Sequence, residues 1–322
     1  EFSTTSLAGT YTIGGLNPDY ATISEAIADI NSNAVSDSVT FLIRTGTYNE
    51  QLSIQKVYYT SSSKSVTFMP DTSAEVTITY EPTSSDNYIV QFDDADYITF
   101  QNLTFTATGT SYGRVFDFLD ESHNITIQGN TINGINTTSS STNTIVCYSA
   151  SGTSNNNITI SDNDINYGSY AIYLYGTNYT NLENNNVVIN NTIHDFSYMG
   201  LYFYGQDSIS ISSNEIIAKT SNGYSHNYGI HLTYCDNACN ISKNIIKLFA
   251  SSYNYGLYMY YCDGTLGNEI IVSNNFVSNH NSGSTSYGIF PTSSNYIKIY
   301  YNSVNVTDGS SSEIGRASCR ER

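Results

Sequence analysis

Residues 209–235, ISISSNEIIAKTSNGYSHNYGIHLTYC, contain the pattern on which most of the chain is built. The stretch opens with alternating apolar residues, turns at Asn214 and resumes with Ile216 and Ile217. After a polar loop comes a second run, residues 228–232 (YGIHL), with the same alternation. Short runs of alternating apolar and polar residues are typical of β-strands that bury one face.

The same pattern recurs along the chain. The turn asparagine returns at intervals of 23 to 33 residues, at Asn130, Asn163, Asn191, Asn214, Asn244, Asn275 and Asn302. The glycine of the Tyr-Gly strand returns at intervals of 27 to 32 residues, at Gly200, Gly229, Gly256 and Gly288. Short β-branched and aromatic runs exclude helical repeats of similar length. The sequence therefore predicts an all-β fold, a parallel β-solenoid whose coils stack about 4.8 Å apart.

The repeated asparagines suit the turns between the sheets of such a solenoid. Asparagine adopts left-handed backbone angles more readily than most residues, so we expect it at the sharp bend of each coil. Stacked asparagines also form hydrogen bonds with one another, as ladders of identical side chains do. We interpret these residues as part of the scaffold.

One helix is predicted, near the N-terminus. Residues 19–30 carry apolar side chains at positions 23, 26, 27 and 30, which is helical spacing. A short amphipathic helix before the first coil would cover the open end of the solenoid. We expect residues 1–38 to hold a strand at 9–13 and this capping helix, and residues 39–312 to form the coils.

The last ten residues differ sharply in composition from the rest. Residues 313–322 (EIGRASCRER) resemble the translation of a sequencing-adapter oligonucleotide and are expected not to be native. We expect the natural sequence to continue differently after Ser312 as part of a longer polypeptide with further domains. The source is expected to be bacterial, with the sequence a metagenomic fragment.

The composition narrows the classes of function. The chain has 322 residues, 30 tyrosines, no tryptophan, 12% charged residues and a formal net charge of −17. Without a basic patch to neutralise phosphates, we do not expect nucleic acid as a partner. No apolar run reaches membrane-spanning length, so we expect no membrane insertion. Serine, threonine, asparagine and tyrosine dominate the polar residues, which favours an extracellular or cell-surface protein.

Two segments near the N-terminus resemble a known family. Residues 19–27 (DYATISEAI) and 39–54 (VTFLIRTGTYNEQLSI) are similar to the opening of pectinesterases and related pectin-lyase-like proteins. The repeated I-x-I-x-x-N-x-I pattern resembles the generic parallel β-helix repeats of that superfamily. The resemblance implies a right-handed parallel β-helix. It does not imply one reaction, because this fold carries lyases, hydrolases, esterases, epimerases and adhesins.

The catalytic patterns of that superfamily are missing from the sequence. The GYQDTLY and DFIFG sequences of pectinesterases are absent, and residues 117–120 (DFLD) echo the second only weakly. The N-x-D, D-D, G-H-G and R-x-K series of the hydrolases is absent as a set. Lyases need an arginine or lysine base, and outside the last ten residues the chain has only Arg44 and Arg114 as arginines. We therefore expect a non-catalytic protein.

Two acidic clusters are the candidates for chemistry. Asp93, Asp94 and Asp96 form one cluster, and Asp117, Asp120 and Glu121 form the other, with Arg114 and His123 nearby. Carboxylates grouped in this way bind calcium or act as an acid–base pair. The competing interpretation is that aspartate simply recurs in the turn before a strand, as Asp207 and Asp236 also do. If the protein is an enzyme, Asp94, Asp117, Asp120 and Arg114 are the candidate catalytic residues. We expect no cofactor; calcium is the one alternative, with Asp93, Asp94 and Asp96 as its candidate ligands.

Histidines and cysteines give weaker signals. The five histidines lack the spacing of metal ligands, and His231 takes a tyrosine's place in the repeat. Cys235 and Cys262 both follow a strand glycine by six residues, so they should lie on adjacent coils, within reach of a disulfide. Cys239 is an alternative partner for either, and buried thiols are the competing interpretation.

Tyrosines are the most informative residues. In the Tyr-Gly strand the apolar residues at 172, 174, 201, 203, 230, 232, 257 and 259 should point into the core. Alternation then directs a ladder outward, at Tyr173, Tyr175, Tyr202, Tyr204, His231, Tyr258 and Tyr260. Tyrosine combines apolar area with a hydroxyl group, which suits a polysaccharide. The alternative is that these rings only shield the sheet and stack for stability.

The sequence thus favours a secreted or surface module that binds polysaccharide or surface glycan through this ladder. Two alternatives stay open. One is a polysaccharide-active lyase, hydrolase or esterase, and the other is a structural stalk that spaces other domains.

Overall fold

The structure, a computed structural model, describes residues 6–119, 121–220, 224–280 and 285–307. It is a right-handed parallel β-helix, as the resemblance implies, and each strand pairs in parallel with the equivalent strand of the next coil. Within the described residues the strands form three sheets of 11, 10 and 10 strands. We call these sheets A, B and C, and number the strands in chain order.

Sheet A contains β1 (Leu7–Ile13), β2 (Val35–Ile43), β5 (Val66–Pro70), β8 (Ile98–Gln101), β11 (Thr126–Gln128), β14 (Thr159–Ser161), β18 (Val187–Ile189), β21 (Ser210–Ser212), β24 (Asn240–Ser242), β27 (Ile270–Ser273) and β30 (Ile297–Tyr300). Sheet B contains β3 (Gly46–Asn49), β6 (Val76–Tyr80), β9 (Thr104–Ala107), β12 (Thr131–Asn133), β15 (Asp164–Asn166), β19 (Thr192–Phe196), β22 (Glu215–Ala218), β25 (Ile245–Leu248), β28 (Phe276–His280) and β31 (Ser303–Thr307). Sheet C contains β4 (Leu52–Ile54), β7 (Val90–Phe92), β10 (Phe116–Phe118), β13 (Cys147–Ser149), β16 (Tyr170–Tyr175), the short β17 (Glu183–Asn184), β20 (Met199–Asp207), β23 (His226–Asp236), β26 (Tyr253–Tyr260) and β29 (Thr285–Thr292). A 3₁₀ turn spans Thr142–Thr144.

The core fills the space between the three sheets with stacked apolar side chains. In sheet A the rings of Phe41, Phe68 and Phe100 stack with centroids 4.8 Å apart from one coil to the next. In sheet C the predicted inward residues, from Ile172 to Met259, are all buried. Burial of this apolar surface is the main stabilising term of the fold.

Asparagines at the corner between sheets A and B form a continuous ladder. The side chain of Asn163 accepts a bond from Asn130 Nδ2 at 3.1 Å, and the same contact repeats to Asn302 at 2.9–3.1 Å. Each Nδ2 donates a second bond to a main-chain carbonyl, such as Ile127 O at 2.8 Å from Asn163. The predicted hydrogen-bonded ladder is therefore confirmed.

The predicted left-handed backbone of these asparagines was wrong by one position. The residue before each of them takes the positive φ, namely Gly129, Asp162, Asn190, Ser213, Lys243, Asn274 and Tyr301. The ladder asparagine turns inward instead, because its buried side chain must meet the amide of the next coil. The bend and the ladder thus use adjacent residues.

Helix α1 (Ile23–Ser32) begins four residues later than the start of the predicted range, and buries the four expected positions. Its N-cap is Thr22, whose Oγ1 accepts a bond from Glu25 N at 3.1 Å. The helix lies against β4, the first strand of sheet C, where Asn31 Nδ2 donates to Ser53 O and Gln55 N donates to Asn31 Oδ1, both at 3.0 Å. These bonds satisfy main-chain groups at an edge that would otherwise be open.

The predicted division after residue 38 falls inside β2, and β1 is already a strand of sheet A. The predicted tail at residues 313–322 lies outside the described residues. No helix in the described ranges is long and apolar enough to cross a membrane.

Candidate functional site

The outer face of sheet C carries a column of aromatic rings. Parallel register places Tyr148, Tyr173, Tyr202, His231, Tyr258 and Phe290 opposite one another on successive strands from β13 to β29. A second column runs beside it through Tyr175, Tyr204, Thr233 and Tyr260. These are the residues predicted to point outward, extended by Tyr148 and Phe290, and we call the two sets the tyrosine columns.

The rings of the columns pack mainly on one another. The centroids of Tyr173 and Tyr202 lie 4.7 Å apart, and those of Tyr175 and Tyr204 lie 4.1 Å apart with an interplanar angle of 10°. Stacking of this kind uses the ring faces, so the columns present mainly ring edges and hydroxyl groups to a ligand. Burial raises the pKa of Tyr173 and Tyr202 above the ordinary value, so both phenols stay neutral at physiological pH.

His231 continues the column as a neutral ring. It contacts Tyr202 and Tyr258 edge to face, with centroids 5.0 and 4.7 Å apart. Its Nε2 lies 3.2 Å from Thr233 Oγ1, whereas its Nδ1 is shielded from solvent and has no hydrogen-bond partner. Burial lowers the pKa of His231 to about 3, because a charged imidazolium would lose its hydration among these rings.

A cluster of side chains and a loop border the tyrosine columns on the side where the strands of sheet C begin. Ile145, Tyr170 and Met199 are buried on the outer face of the sheet, against Tyr198 and Tyr228. The loop between β12 and β13 crosses this cluster, and its carbonyls Ser141 O and Ser139 O accept bonds of 2.5 Å from Ser169 Oγ and Ser197 Oγ. Lys219 Nζ, from a later coil, bonds Asn136 Oδ1 at 2.6 Å. The outer face is therefore bounded along this side.

A polar cleft lies at the N-terminal end of the first column. Gln91 and Asp117 occupy the same register position as Tyr148, on β7 and β10. They line a cleft of about 230 Å³ together with Arg114, Tyr88 and Asn143. The Arg114 guanidinium lies 3.5 Å above the Tyr148 ring, a cation–π contact that links the cleft to the column.

Asp117 is the chemically distinctive group of this cleft. Its side chain is buried, Gln91 Nε2 donates to Oδ2 at 3.2 Å, and Arg114 Nη1 lies 3.9 Å from Oδ1. Oδ1 has no hydrogen-bond partner in the protein. Burial raises the pKa of Asp117 in spite of the Gln91 hydrogen bond and the guanidinium. A buried carboxyl group whose pKa is raised in this way is a candidate for proton exchange with a bound hydroxyl.

The structure does not bring the other acidic candidates to this cleft. Asp94 pairs with Lys56 Nζ at 2.8 Å, and Asp96 Oδ1 accepts a bond from His123 N at 3.1 Å. Asp120 lies outside the described residues. In the ranges that the structure describes, no three His, Cys, Asp or Glu side chains are arranged to hold a metal ion.

Cys235, Cys239 and Cys262 are buried free thiols. Cys235 and Cys262 lie on adjacent coils as predicted, since Thr233 and Tyr260 two residues earlier are paired. Burial and the neighbouring Cys262 raise the pKa of the Cys235 thiol. The Cys235 thiol is therefore protonated and unreactive in this arrangement.

The sequence pattern did not predict that the polar cleft and the tyrosine columns adjoin on the same face of sheet C. Gln91 and Asp117 precede the Tyr-Gly repeats, so the tyrosine pattern does not reach them. Counting back one coil from Tyr173 to Tyr148, and then to Asp117, would have placed all three on one face.

Comparison with known proteins supports the parallel β-helix fold. No protein-family model matches the sequence, and no curated protein sequence matches it. Among solved structures, pectate lyase Pel9A is 14% identical with a TM-score of 0.58, and the match covers 97% of this chain and 80% of the lyase. PfbA, a surface adhesin of Streptococcus pneumoniae, is 14% identical with a TM-score of 0.50, over 89% of this chain and 88% of the adhesin. A pectin methylesterase from Aspergillus niger is 15% identical with a TM-score of 0.48, over 97% of this chain and 89% of the esterase. The first two structures confirm the parallel β-helix fold that the resemblance implies.

Proposed function

We propose that this chain is an extracellular or surface module that binds a polysaccharide along the outer face of sheet C. The observation that carries the proposal is the continuous pair of tyrosine columns, which offers a row of neutral hydroxyl groups and ring edges at every coil. A repeating polymer suits such a surface, because each coil presents a similar contact about 4.8 Å further along.

The physical chemistry of the face favours a neutral glycan. The columns carry no charged side chain at physiological pH, and the whole chain has a formal net charge of −17, which disfavours polyanions. Neutral sugars offer hydroxyl groups to the tyrosine hydroxyls and C–H groups to the ring edges. The surface adhesin with the same fold is consistent with a protein that works at the cell surface.

The proposal is tested by retention on immobilised polysaccharides with paired variants. Tyr204→Ala and Tyr260→Ala remove hydroxyl groups and ring edges from the second column, where both side chains are partly exposed. The matched control is Tyr301→Ala, an 82% exposed tyrosine at the corner between sheets A and B. We expect the first two variants to lose retention and the control to keep it. Equal retention by all three would contradict the proposal.

A second function, a polysaccharide-active enzyme, is favoured by one observation. Asp117 is buried in the cleft that adjoins the first column, and its Oδ1 has no hydrogen bond but lies 3.9 Å from Arg114 Nη1. The cleft adjoins the end of the column along which a polymer would lie. An assay for new reducing ends or unsaturated products, run with wild type and Asp117→Asn, separates the two functions. Turnover that the Asn variant abolishes would make the chain an enzyme, and binding without turnover would support the module.

A further inference from the structure

Three tyrosines form an exposed row at the rim of sheet C, in contact with the second tyrosine column through Tyr204 and Tyr260. The ring centroids of Tyr179 and Tyr234 lie 5.5 Å apart, and those of Tyr234 and Tyr261 lie 5.3 Å apart with their planes within 5°. Tyr179 is 61% exposed and Tyr261 is 39% exposed. We call these three residues the rim platform. Its outer members are far more accessible than the rings inside the columns.

Two of these tyrosines have left-handed backbone angles, which tyrosine rarely adopts. Tyr234 and Tyr261 both have φ of +50°. The equivalent position one coil earlier is Gly205, with φ of +66°, as the pairing of Gln206 with Cys235 shows. Glycine takes this conformation without penalty, whereas a bulky side chain is strained there. A bulky residue is therefore kept at this bend on two successive coils, as it is at other bends of the chain such as Tyr97 and Tyr301.

A row of carboxylates lies next to the rim platform. Asp236 and Asp263 each follow a platform tyrosine by two residues, and Asp207 pairs with Asp236 on the preceding coil. Asp236 Oδ1 accepts a bond from Asp263 N at 2.8 Å, and Asp263 Oδ1 accepts one from Asn295 N at 2.8 Å. In the described part of the chain, Oδ2 of each has no hydrogen-bond partner in the protein. The row therefore keeps acceptors for hydroxyl donors.

The repeated tripeptide Tyr-Cys-Asp, at residues 234–236 and 261–263, produces this arrangement. In both copies the cysteine is buried in the core and fixes the strand. The tyrosine and the aspartate on either side are then held at the surface. A ring face next to a carboxylate matches a sugar ring, which has an apolar C–H face and hydroxyl donors on its edge.

We propose that the rim platform, with Asp207, Asp236 and Asp263, is a subsite that stacks and hydrogen-bonds neutral sugar rings. It rests on the proposed function, and it assigns the ring-stacking contacts to residues outside the tyrosine columns. The columns use their ring faces on one another, so they supply hydroxyl groups and edges. In the rim platform Tyr234 and Tyr261 also stack on each other, and the accessible ring surface belongs to the exposed end members, Tyr179 and Tyr261. The carboxylate row repels uronic-acid polymers and accepts hydroxyl groups.

Glycine substitutions test the rim platform without harming the fold. Tyr234→Gly and Tyr261→Gly remove the rings and relieve the left-handed strain. Tyr301→Gly, at φ of +56° and on another face, is the matched control. The probes are an immobilised neutral β-glucan, a neutral mannan and polygalacturonate. We expect wild type to bind a neutral polymer, the two rim variants to bind about tenfold more weakly or worse, and the control to match wild type.

Thermal unfolding of the same proteins excludes a trivial loss of structure. The midpoint of each rim variant should be no lower than that of wild type. Should either variant unfold early, Tyr179→Ala replaces it, since this ring lies in an exposed loop and its backbone has no positive φ. We expect Tyr179→Ala to weaken binding as well.

The outcomes separate the two proposals. Folded rim variants that bind as tightly as wild type, while Tyr204→Ala and Tyr260→Ala bind weakly, would overturn the rim platform and leave the proposed function standing. Binding of polygalacturonate alone would overturn the neutral-sugar assignment. Wild type that binds none of the three polymers would overturn both.

Discussion

His231 stands where the other coils of its column carry a tyrosine or a phenylalanine. Its low pKa means that protonation works against the folded state. The folded pKa of about 3 lies below the ordinary value of 6.5, so the stabilising contribution is complete above pH 6.5 and is lost as the pH falls towards 3.

We expect His231→Tyr to remove this acid sensitivity, because a neutral ring would continue the stack. The free energy of unfolding of wild type should fall faster below pH 6.5 than that of the variant, by up to about 5 kcal/mol at full protonation. Urea titrations at several pH values measure the difference. His194→Gln is the control, since His194 lies on sheet B beside Asp164 and Asp195. Parallel curves for wild type and His231→Tyr would contradict the expectation.

Glu183 gives the opposite dependence. It is buried and accepts bonds from Gln206 Nε2 at 2.7 Å and Asn155 N at 2.9 Å, yet burial raises its pKa to about 7. The folded pKa lies above the ordinary value of 4.5, so ionisation destabilises the folded state progressively as the pH rises from about 4.5 to 7.

We expect Glu183→Gln to remove this alkaline-side loss of stability, which amounts to roughly 3 kcal/mol in wild type. The amide also loses one acceptor, so the variant should be less stable than wild type at pH 4.5 and should recover relative to it by pH 8. Thermal midpoints across this range give the comparison. Glu215→Gln, on a partly exposed side chain of sheet B, is the control. A constant difference between wild type and Glu183→Gln would count against the assignment.

The asparagine ladder joins neighbouring coils more specifically than the strands do. Asn214 accepts from Asn191 Nδ2 at 3.0 Å and donates to Val188 O at 2.9 Å and Asn244 Oδ1 at 3.0 Å, all in buried surroundings. Removal of one member therefore leaves several buried groups without partners. Each such group costs about 1–3 kcal/mol.

We accordingly expect Asn214→Ala to destabilise the protein by about 3 kcal/mol or more, measured by chemical denaturation. The neighbouring change Ser213→Gly is the control, because Ser213 has φ of +57° and glycine accepts that conformation. The control should be as stable as wild type or slightly more so. An Asn214→Ala variant as stable as the control would show that the ladder is dispensable.

The glycines of the Tyr-Gly strands allow the coils to come close together. A Cβ on Gly256 would lie 2.5 Å from Gly288 O and would overlap Val277 Cγ1. We expect Gly256→Ala to cost about 1–3 kcal/mol by overpacking. The control is Gly46→Ala, whose nearest neighbour is the Tyr48 ring at 3.4 Å. Equal denaturation midpoints for the two variants would contradict this.

The repeated asparagines and glycines show which features of the fold can be predicted from the sequence. The period of the asparagines and glycines predicts the coils, the sheet alternation and the outward tyrosines, because register fixes which residues are neighbours. It does not predict Tyr234 and Tyr261 at the rim, since a left-handed residue breaks the alternation there. Nor does it place Asp117 beside Tyr148, because the strands before β13 lack the tyrosine signature.

For the whole molecule, the lack of charged side chains in the tyrosine columns determines how binding should depend on salt concentration. A neutral ligand gains little from long-range attraction, whereas a charged one depends on ionic strength. We expect retention on a neutral polysaccharide to change little between about 0.05 and 0.5 M NaCl, where screening changes strongly. Binding that collapses over this range would instead indicate a charged ligand.

The coils vary by 23 to 33 residues in spacing, yet the amides of Asn130 to Asn302 meet at nearly constant distances. The register between coils is thus set at the corner between sheets A and B, independently of the length of the loops in each coil. A loop can lengthen, shorten or take up a foreign peptide while the neighbouring coils stay aligned. For protein engineering, the molecule is therefore a scaffold of regular spacing on which binding loops can be exchanged one coil at a time.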